Sequence, residues 1–312
     1  MITLQQLEYV LAVDTYRHFV TAAEKCFVTQ PTLSMQIKKL EDDLGVTIFD
    51  RGKQPIVPTE IGLKIIEQAR ETVATSKKIH ELIADFNGTV SGELNVGVIP
   101  SLAPYLLPRF IGDFTRAYPE VKINMTELLS EEIIAGLKKD LLDVGILVTP
   151  LNEAGIIEQA LFYEKMLLYV NHSHPYGKEK SIVASNIATP DIWLLSKGHC
   201  FRSQVLNLCS YQSNRQEQNA FEYQSGSLET LKKFVEKEGG FTLLPELAIE
   251  TGDETKASVV SIVDPEPVRE VSLVYSRNFA KQRLVTLLAQ SIRVSVPDSL
   301  LEKDRGKVVE WR

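Results

Sequence analysis

Apolar side chains along residues 1–58 recur at threes and fours, and that spacing predicts three short helices. Leu4, Leu7, Val10, Leu11 and Val13 mark the first. The stretch 21–26 reads as a short second helix, with Ala22 and Ala23 small enough for another helix to pack close. After a tight connection at 28–30, Leu33, Ile37 and Leu40 form the buried stripe of a third helix over 31–43. Pro31 suits the first turn, where its missing N–H costs nothing, and Gly45 suits the end. The runs 48–51 and 55–58 are short and strand-like around Gly52 and Lys53, which predicts a wing. From Thr59, a good N-cap followed by Glu60 at the positive end of the helix dipole, the residues Ile61, Ile65, Ala69, Val73, Ser76, Ile79 and Ile83 repeat as one narrow stripe. The stripe is longer than a typical globular helix needs. It predicts pairing with the same helix of a second subunit, with packing on its own domain as the alternative. Beyond a hinge-like run at 87–92 the pattern changes. Apolar runs at 94–99, 121–125 and 144–148 alternate with helical patterns at 106–118 and 131–139. A second set has apolar runs at 165–170, 192–195 and 241–245 and amphipathic segments at 200–208 and 227–238, and a strand at 271–275 and a helix at 282–294 close the pattern. Such alternation predicts an α/β sheet. The expected fold class is therefore an N-terminal all-α winged helix-turn-helix domain (1–58), a linker helix (59–87) and an α/β regulatory domain (88–312).

Charge narrows this picture. The 312 residues carry a net charge of −7, so no global field attracts nucleic acid. Residues 1–87 hold 10 Lys/Arg against 12 Asp/Glu, and DNA binding must rest on a local patch with steep salt dependence. The polar face of the third helix supplies one. Thr29, Gln30, Pro31, Thr32, Ser34, Gln36, Lys38 and Lys39 offer short hydrogen-bonding groups and cations, and the wing adds Arg51 and Lys53. One reading helix covers few bases, so a two-fold dimer on a palindromic duplex is expected. The N-terminus lacks a basic run followed by an apolar core, and no uncharged apolar run reaches ~18 residues. A cytoplasmic protein with reduced thiols and no membrane segment is the expectation.

Three cysteines are too few for a disulfide scaffold. Cys26, in the second helix, reads as a small buried hydrophobe. Cys200 and Cys209 stand nine positions apart in one amphipathic segment, with His199 and Arg202 beside the first. They read either as packed thiols or as redox groups. A zinc site would need further ligands at close spacing; His172 and His174 read instead as a surface turn, and no metal is expected. A serine hydrolase fails for lack of a Gly-x-Ser-x-Gly elbow. Ligands of open α/β sheets sit beyond the C-terminal strand ends, which places Ser101 and Ser130 at one site.

The run from Ala22 to Val46, followed by Ile48-Phe49-Asp50-Arg51, resembles the LysR-type transcriptional regulators, with Met35 standing where many members carry a basic or small residue. The resemblance implies a two-lobed effector domain like that of periplasmic binding proteins, with lobe I at about 92–162 and 268–300 and lobe II at about 163–267. Three stretches, 99–108, 198–209 and 265–269, resemble the peroxide-sensing branch of that family. That branch implies Cys200 as the peroxidatic thiol and Cys209 as the resolving thiol of an intramolecular disulfide. It implies Ser101, Ser130, His199 and Arg269 as the pocket around peroxide and thiolate, with serine where threonine is common. The implied protein is an activator of antioxidant genes, not an enzyme. It has no cofactor, and its partners are promoter DNA, hydrogen peroxide, RNA polymerase, a thiol reductant such as glutaredoxin or thioredoxin, and its own copies as a homodimer or homotetramer. The alternative within the family is a small metabolite bound between the lobes.

Spacing adds a constraint. Nine helical residues separate two Cα atoms by ~13 Å, whereas a disulfide requires roughly 7 Å or less. If 200–208 is helical when reduced, the disulfide and the helix cannot share one backbone.

Overall fold

The computed structural model describes residues 1–86, 90–188, 191–209, 226–277, 279 and 281–311, the side chains of 77 and 80–86 excepted. Residues 87–89 of the hinge-like run and the side chain of Ile83 lie outside the described residues.

Helices α1 (Leu4–Tyr16), α2 (Phe19–Lys25) and α3 (Gln30–Leu44) close around Val10, Val13, Ala22, Ala23, Leu33, Ile37 and Leu40. Thr3 starts α1 with a capping box shared with Gln6. Gly45 ends α3 in the left-handed region at φ 70°. Strands β1 (Phe49–Asp50) and β2 (Val57–Pro58) pair antiparallel as the wing. Buried Glu41 of α3 secures them. Its Oε1 accepts from the N–H groups of Ile48 (2.7 Å) and Phe49 (3.2 Å), and its Oε2 accepts from Arg51 Nη2 (2.8 Å).

Helix α4 (Glu60–Phe86) is capped by Thr59, whose Oγ1 accepts from Gly62 N–H at 2.9 Å. The predicted intersubunit stripe is divided. Ala69 and Val73, with Ile66, are buried in the core that α1 contributes to the same subunit, and Ile65 packs against it, so three stripe positions face their own domain. Ile61, Leu63 and Ile79 stay exposed.

The regulatory part begins with β3 (Gly92–Val98), α5 (Ala103–Ala117), β4 (Val121–Glu127), α6 (Ser130–Lys138) and β5 (Val144–Thr149). β6 (Ile156–Val170), β7 (Ser181–Val183), α7 (Cys200–Leu208), α8 (Leu228–Glu238), β8 (Phe241–Pro245), β9 (Ser258–Val263) and β10 (Pro267–Ser276) follow, and α9 (Gln282–Ser295) and β11 (Lys307–Val308) complete it. Among the described residues the sheet order is β4-β3-β5-β10-β6-β9-β7, with β8 on β6 and β11 on β10. β3 lies parallel between β4 and β5, the arrangement that helical crossovers impose. The long strands β6 and β10 are antiparallel partners and carry the chain between the lobes, with Glu164 opposite Arg269 in their register.

Two expectations need correction. The apolar run 192–195 forms no named strand; Ile192 makes an isolated bridge to Phe241, while Trp193 stacks on Phe234 and donates its indole N–H to the Gly239 carbonyl at 2.9 Å. The helix expected at 106–118 begins three residues earlier, with Pro104 in its first turn and Pro108 inside it. Beyond α9 the chain returns across α7. The Val309 and Glu310 carbonyls accept from Gln204 Nε2 (2.6 Å) and Asn207 Nδ2 (2.9 Å), and buried Trp311 donates to the Val148 carbonyl (3.2 Å). Among the described residues no helix is long and apolar enough to cross a membrane.

Candidate functional site

Gly198, at φ 97°, turns the chain in the left-handed region that glycine tolerates, and α7 starts two residues later. His199 is the N-cap residue and Cys200 the first residue of the helix. Cys200 is buried with Phe201 and Val205 on the inner face of α7. It meets two other segments: Ile99, Pro100 and Ser101 after β3, and Leu129 and Ser130 at the start of α6. The space they line is tightly packed and leaves no room for a ligand the size of an ordinary metabolite.

Polar groups in this pocket are few and directed. Ser130 is buried; its Oγ lies close enough to Cys200 to favour the thiolate, yet outside hydrogen-bond geometry, and has no other partner among the described residues. Arg269 is fully buried and donates through Nη1 to Ser101 Oγ (2.9 Å) and through Nη2 to the Ser101 carbonyl (3.2 Å). Its guanidinium stands 5.3 Å from the centre of the Phe201 ring, within cation–π range. Since Ser101 Oγ accepts from Arg269, its own O–H proton is free for another acceptor. The five predicted groups Ser101, Ser130, His199, Cys200 and Arg269 are thus brought together. Arg202 is not: its Nη1 donates to the Leu195 carbonyl at 2.8 Å, away from the thiol.

Burial decides the protonation of these groups. A helix N-terminus by itself would depress the Cys200 thiol. Burial instead pushes it up, against the opposing pull of Ser130, Arg269 and the backbone N–H groups of Phe201 and Cys200. Burial also lowers His199, which is neutral near pH 7. Cys209, the C-cap of α7, is buried in apolar surroundings and pushed up to about 12. All three cysteines are free thiols.

One participant was not visible in the sequence. Glu164 is fully buried; its Oε1 accepts from Arg269 Nε (2.8 Å) and Nη2 (2.7 Å), and its Oε2 accepts from Leu247 N–H (3.2 Å). Only the pairing of β6 with β10 places it there.

The DNA-binding candidates lie on α3 and the wing. Thr29, Gln30, Pro31, Thr32, Lys38 and Lys39 are exposed, with Ser34 and Gln36 half-buried and Met35 exposed among them. Arg51 is engaged by Glu41 and Ser34 and lies over the Phe19 ring, so it braces the wing on α3. Lys53 is exposed, 3.8 Å from Asp50. A cleft of about 970 Å³ lies elsewhere, between α1, α4 and the 137–143 segment of the first lobe. It contains none of the thiol-pocket residues, and Cys26 alone of the cysteines touches it. Among the described residues no cluster of three or more His, Cys, Asp or Glu could hold a metal.

Two family models match the chain: the bacterial regulatory helix-turn-helix protein, lysR family, over residues 4–63, and the LysR substrate binding domain over residues 87–295. The DNA-binding transcriptional dual regulator OxyR of Escherichia coli K12 is 34% identical over 292 residues, 93% of this chain and 94% of that protein. Full-length OxyR of Pseudomonas aeruginosa with a cysteine-to-aspartate substitution superposes with a TM-score of 0.75 at 31% identity, covering 94% of this chain and 98% of that one. A cysteine-to-serine mutant of Corynebacterium glutamicum OxyR with hydrogen peroxide bound superposes with a TM-score of 0.60 at 25% identity, covering 94% and 92%.

Proposed function

The chain belongs to the LysR family of bacterial helix-turn-helix transcriptional regulators, on the peroxide-responsive OxyR side of it, and we propose that it senses peroxide through Cys200 and Cys209. The observation that carries this reading is a helix with one buried face and a buried thiol at each end. One thiol sits beside Ser101, Ser130 and His199 and the other among apolar side chains.

The Cys200 thiolate attacks one oxygen of hydrogen peroxide and the O–O bond breaks. One oxygen stays on sulfur as a sulfenic acid and the other leaves as water after taking up a proton. The Ser130 hydroxyl, the remaining Ser101 proton and Arg269 are the donors that hold peroxide and meet the charge on the departing oxygen. Cys209 then attacks the sulfenic sulfur, the S–S bond forms and a second water leaves. Two thiols supply the two electrons that reduce one peroxide. Cys209 is unfit for this step while α7 is intact, being ~13 Å away by helical rise and held protonated by burial. Unfolding of α7 both brings it near and exposes it to water. The refolded segment changes the packing of the effector domain and thereby the spacing of two α3 helices on promoter DNA. A homodimer or tetramer, RNA polymerase and a thiol reductant are the partners this cycle needs. A metabolite effector at this site is disfavoured by the tight packing of Ser101, Ser130 and Phe201 around Cys200.

The test is to treat reduced protein with near-stoichiometric peroxide, count free thiols and map linkages by mass spectrometry. A Cys200–Cys209 peptide and loss of two thiols of three are expected. The Cys200→Ser variant should lose the peroxide response on promoter DNA; a variant that still responds would overturn the proposal.

A further inference from the structure

We propose that Glu164 is a positioning residue for the peroxide reaction: it aims the Arg269 guanidinium at Ser101 and the Cys200 pocket. This rests on Cys200 being the reacting thiol. Arg269 reaches the pocket from β10, and three contacts fix it. Ser101 takes Nη1 and Nη2, Glu164 takes Nε and Nη2, and the Phe201 ring lies against the guanidinium. Ser101 alone would leave the cation short of acceptors and free to rotate about its long stem. The carboxylate of Glu164 is itself immobilised, because its second oxygen takes the Leu247 N–H just after β8. A fixed chain thus runs from the second lobe through Glu164 and Arg269 to Ser101 of the first lobe. Its two charged members are fully removed from solvent and are cross-strand neighbours where β6 and β10 pass between the lobes.

Stability is a weak reason for such a pair, since an apolar pair of similar volume commonly serves a fold as well or better. Chemistry supplies a stronger one. A cation favours the Cys200 thiolate and the charge developing on the departing oxygen only if it stands at the right place beforehand, because a dry site cannot reorient at the moment of reaction. The sulfur is faced by Ser130 and Arg269, with neutral His199 beside it. Arg269 is the one cation among these groups, so its placement sets the field at the sulfur.

The experiment compares full-length wild type, Glu164→Gln and Glu164→Asp. One readout is the rate constant for peroxide oxidation of Cys200, followed by mass spectrometry. The other is the pH profile of Cys200 alkylation by iodoacetamide. With Arg269 released, Glu164→Gln should slow peroxide oxidation at least tenfold and move the alkylation midpoint to higher pH. If Glu164 acted only as a nearby negative charge, its loss would move the midpoint to lower pH. If it served the fold alone, thermal stability would change while both chemical readouts stayed. Either result overturns the proposal. Glu164→Asp keeps the charge but draws the guanidinium back by a methylene, so it should slow oxidation too, and it carries the test where Glu164→Gln does not fold. A Glu164→Gln/Arg269→Gln double variant should be no slower than Arg269→Gln alone, since Glu164 acts through Arg269. Wild type that leaves Cys200 unoxidised would sink the sensor reading itself; oxidisable wild type with unaltered Glu164 variants would sink only the positioning role.

Discussion

The two thiols of α7 are held in their protonated form by their surroundings, which gives a stability signature. The folded chain keeps the Cys209 proton until about pH 12, whereas an unfolded thiol releases its proton near 8.5. Between those values the unfolded state binds fewer protons, so stability falls as pH rises. The contribution is complete below about pH 8.5 and is lost progressively toward the folded pKa. Cys209→Ser removes that proton. Urea titrations of reduced protein between pH 9 and 11 should show wild type losing up to about 1.4 kcal/mol per pH unit more than the variant. Parallel slopes would mean that Cys209 is not desolvated in the folded protein. Residue types and spacing placed His199 and Cys200 at a helix start. They did not reveal that burial outweighs the helix N-terminus at the sulfur, since burial is contributed by 99–101 and 129–130, far away in the chain. Arg202 looked equally suitable by proximity, but its guanidinium follows the Leu195 carbonyl. Glu164 carried no local signal at all.

At the scale of elements, α7 is short and owes part of its stability to other segments. Its inner face is Cys200, Phe201, Gln204 and Val205. The returning segment 307–311 holds its C-terminal half through Gln204 and Asn207, and Trp311 anchors that segment to Val148. These contacts favour the helix and so oppose the disulfide. Truncation after Gly306 removes both hydrogen bonds, at roughly 1 kcal/mol each. The thiol–disulfide equilibrium should move toward the disulfide by about 10- to 30-fold, near 40 mV more negative in potential. Equilibration against glutathione buffers with thiol counting measures this, and an unchanged potential would show that the segment stays attached in the oxidised form. Periodicity made α7 legible because Phe201, Val205 and Leu208 recur at helical spacing. It misled at 192–195, where a half-buried apolar run makes one isolated bridge and no ladder. It was silent on β7, three residues long at the sheet edge, and on β9, which lies between β6 and β7. In α4 a single stripe served two surfaces, and hydrophobicity alone cannot say which neighbour covers which residue.

Across the whole molecule, charge is arranged against its own function. The net charge of −7 repels a duplex, and the first lobe contacts α1 and α4 of the DNA-binding half. Arg70 of α4 is paired with Asp14 of α1 and with Asp140 beyond α6, and Thr15 Oγ1 donates to the Lys139 carbonyl at 3.0 Å. Several cations of the DNA-binding half are thereby committed to carboxylates: Arg17 and Arg70 to Asp14, and Arg51 to Glu41. The exposed Lys38 and Lys39 on α3 and Lys53 on the wing are then expected to carry most of the attraction to phosphate. Each neutralised phosphate contributes about −0.9 to the slope of log affinity against log salt. In a two-fold dimer one lysine per subunit counts twice. Lys38→Ala should therefore make that slope shallower by about 1.8 and weaken specific and random duplexes alike, whereas Arg51→Ala should first loosen the wing and lower the melting temperature. Anisotropy titrations of labelled promoter DNA across 50–300 mM salt distinguish the two. An unchanged slope in Lys38→Ala would remove Lys38 from the backbone contacts and leave Lys39 and Lys53 to supply the attraction that the rest of the chain opposes.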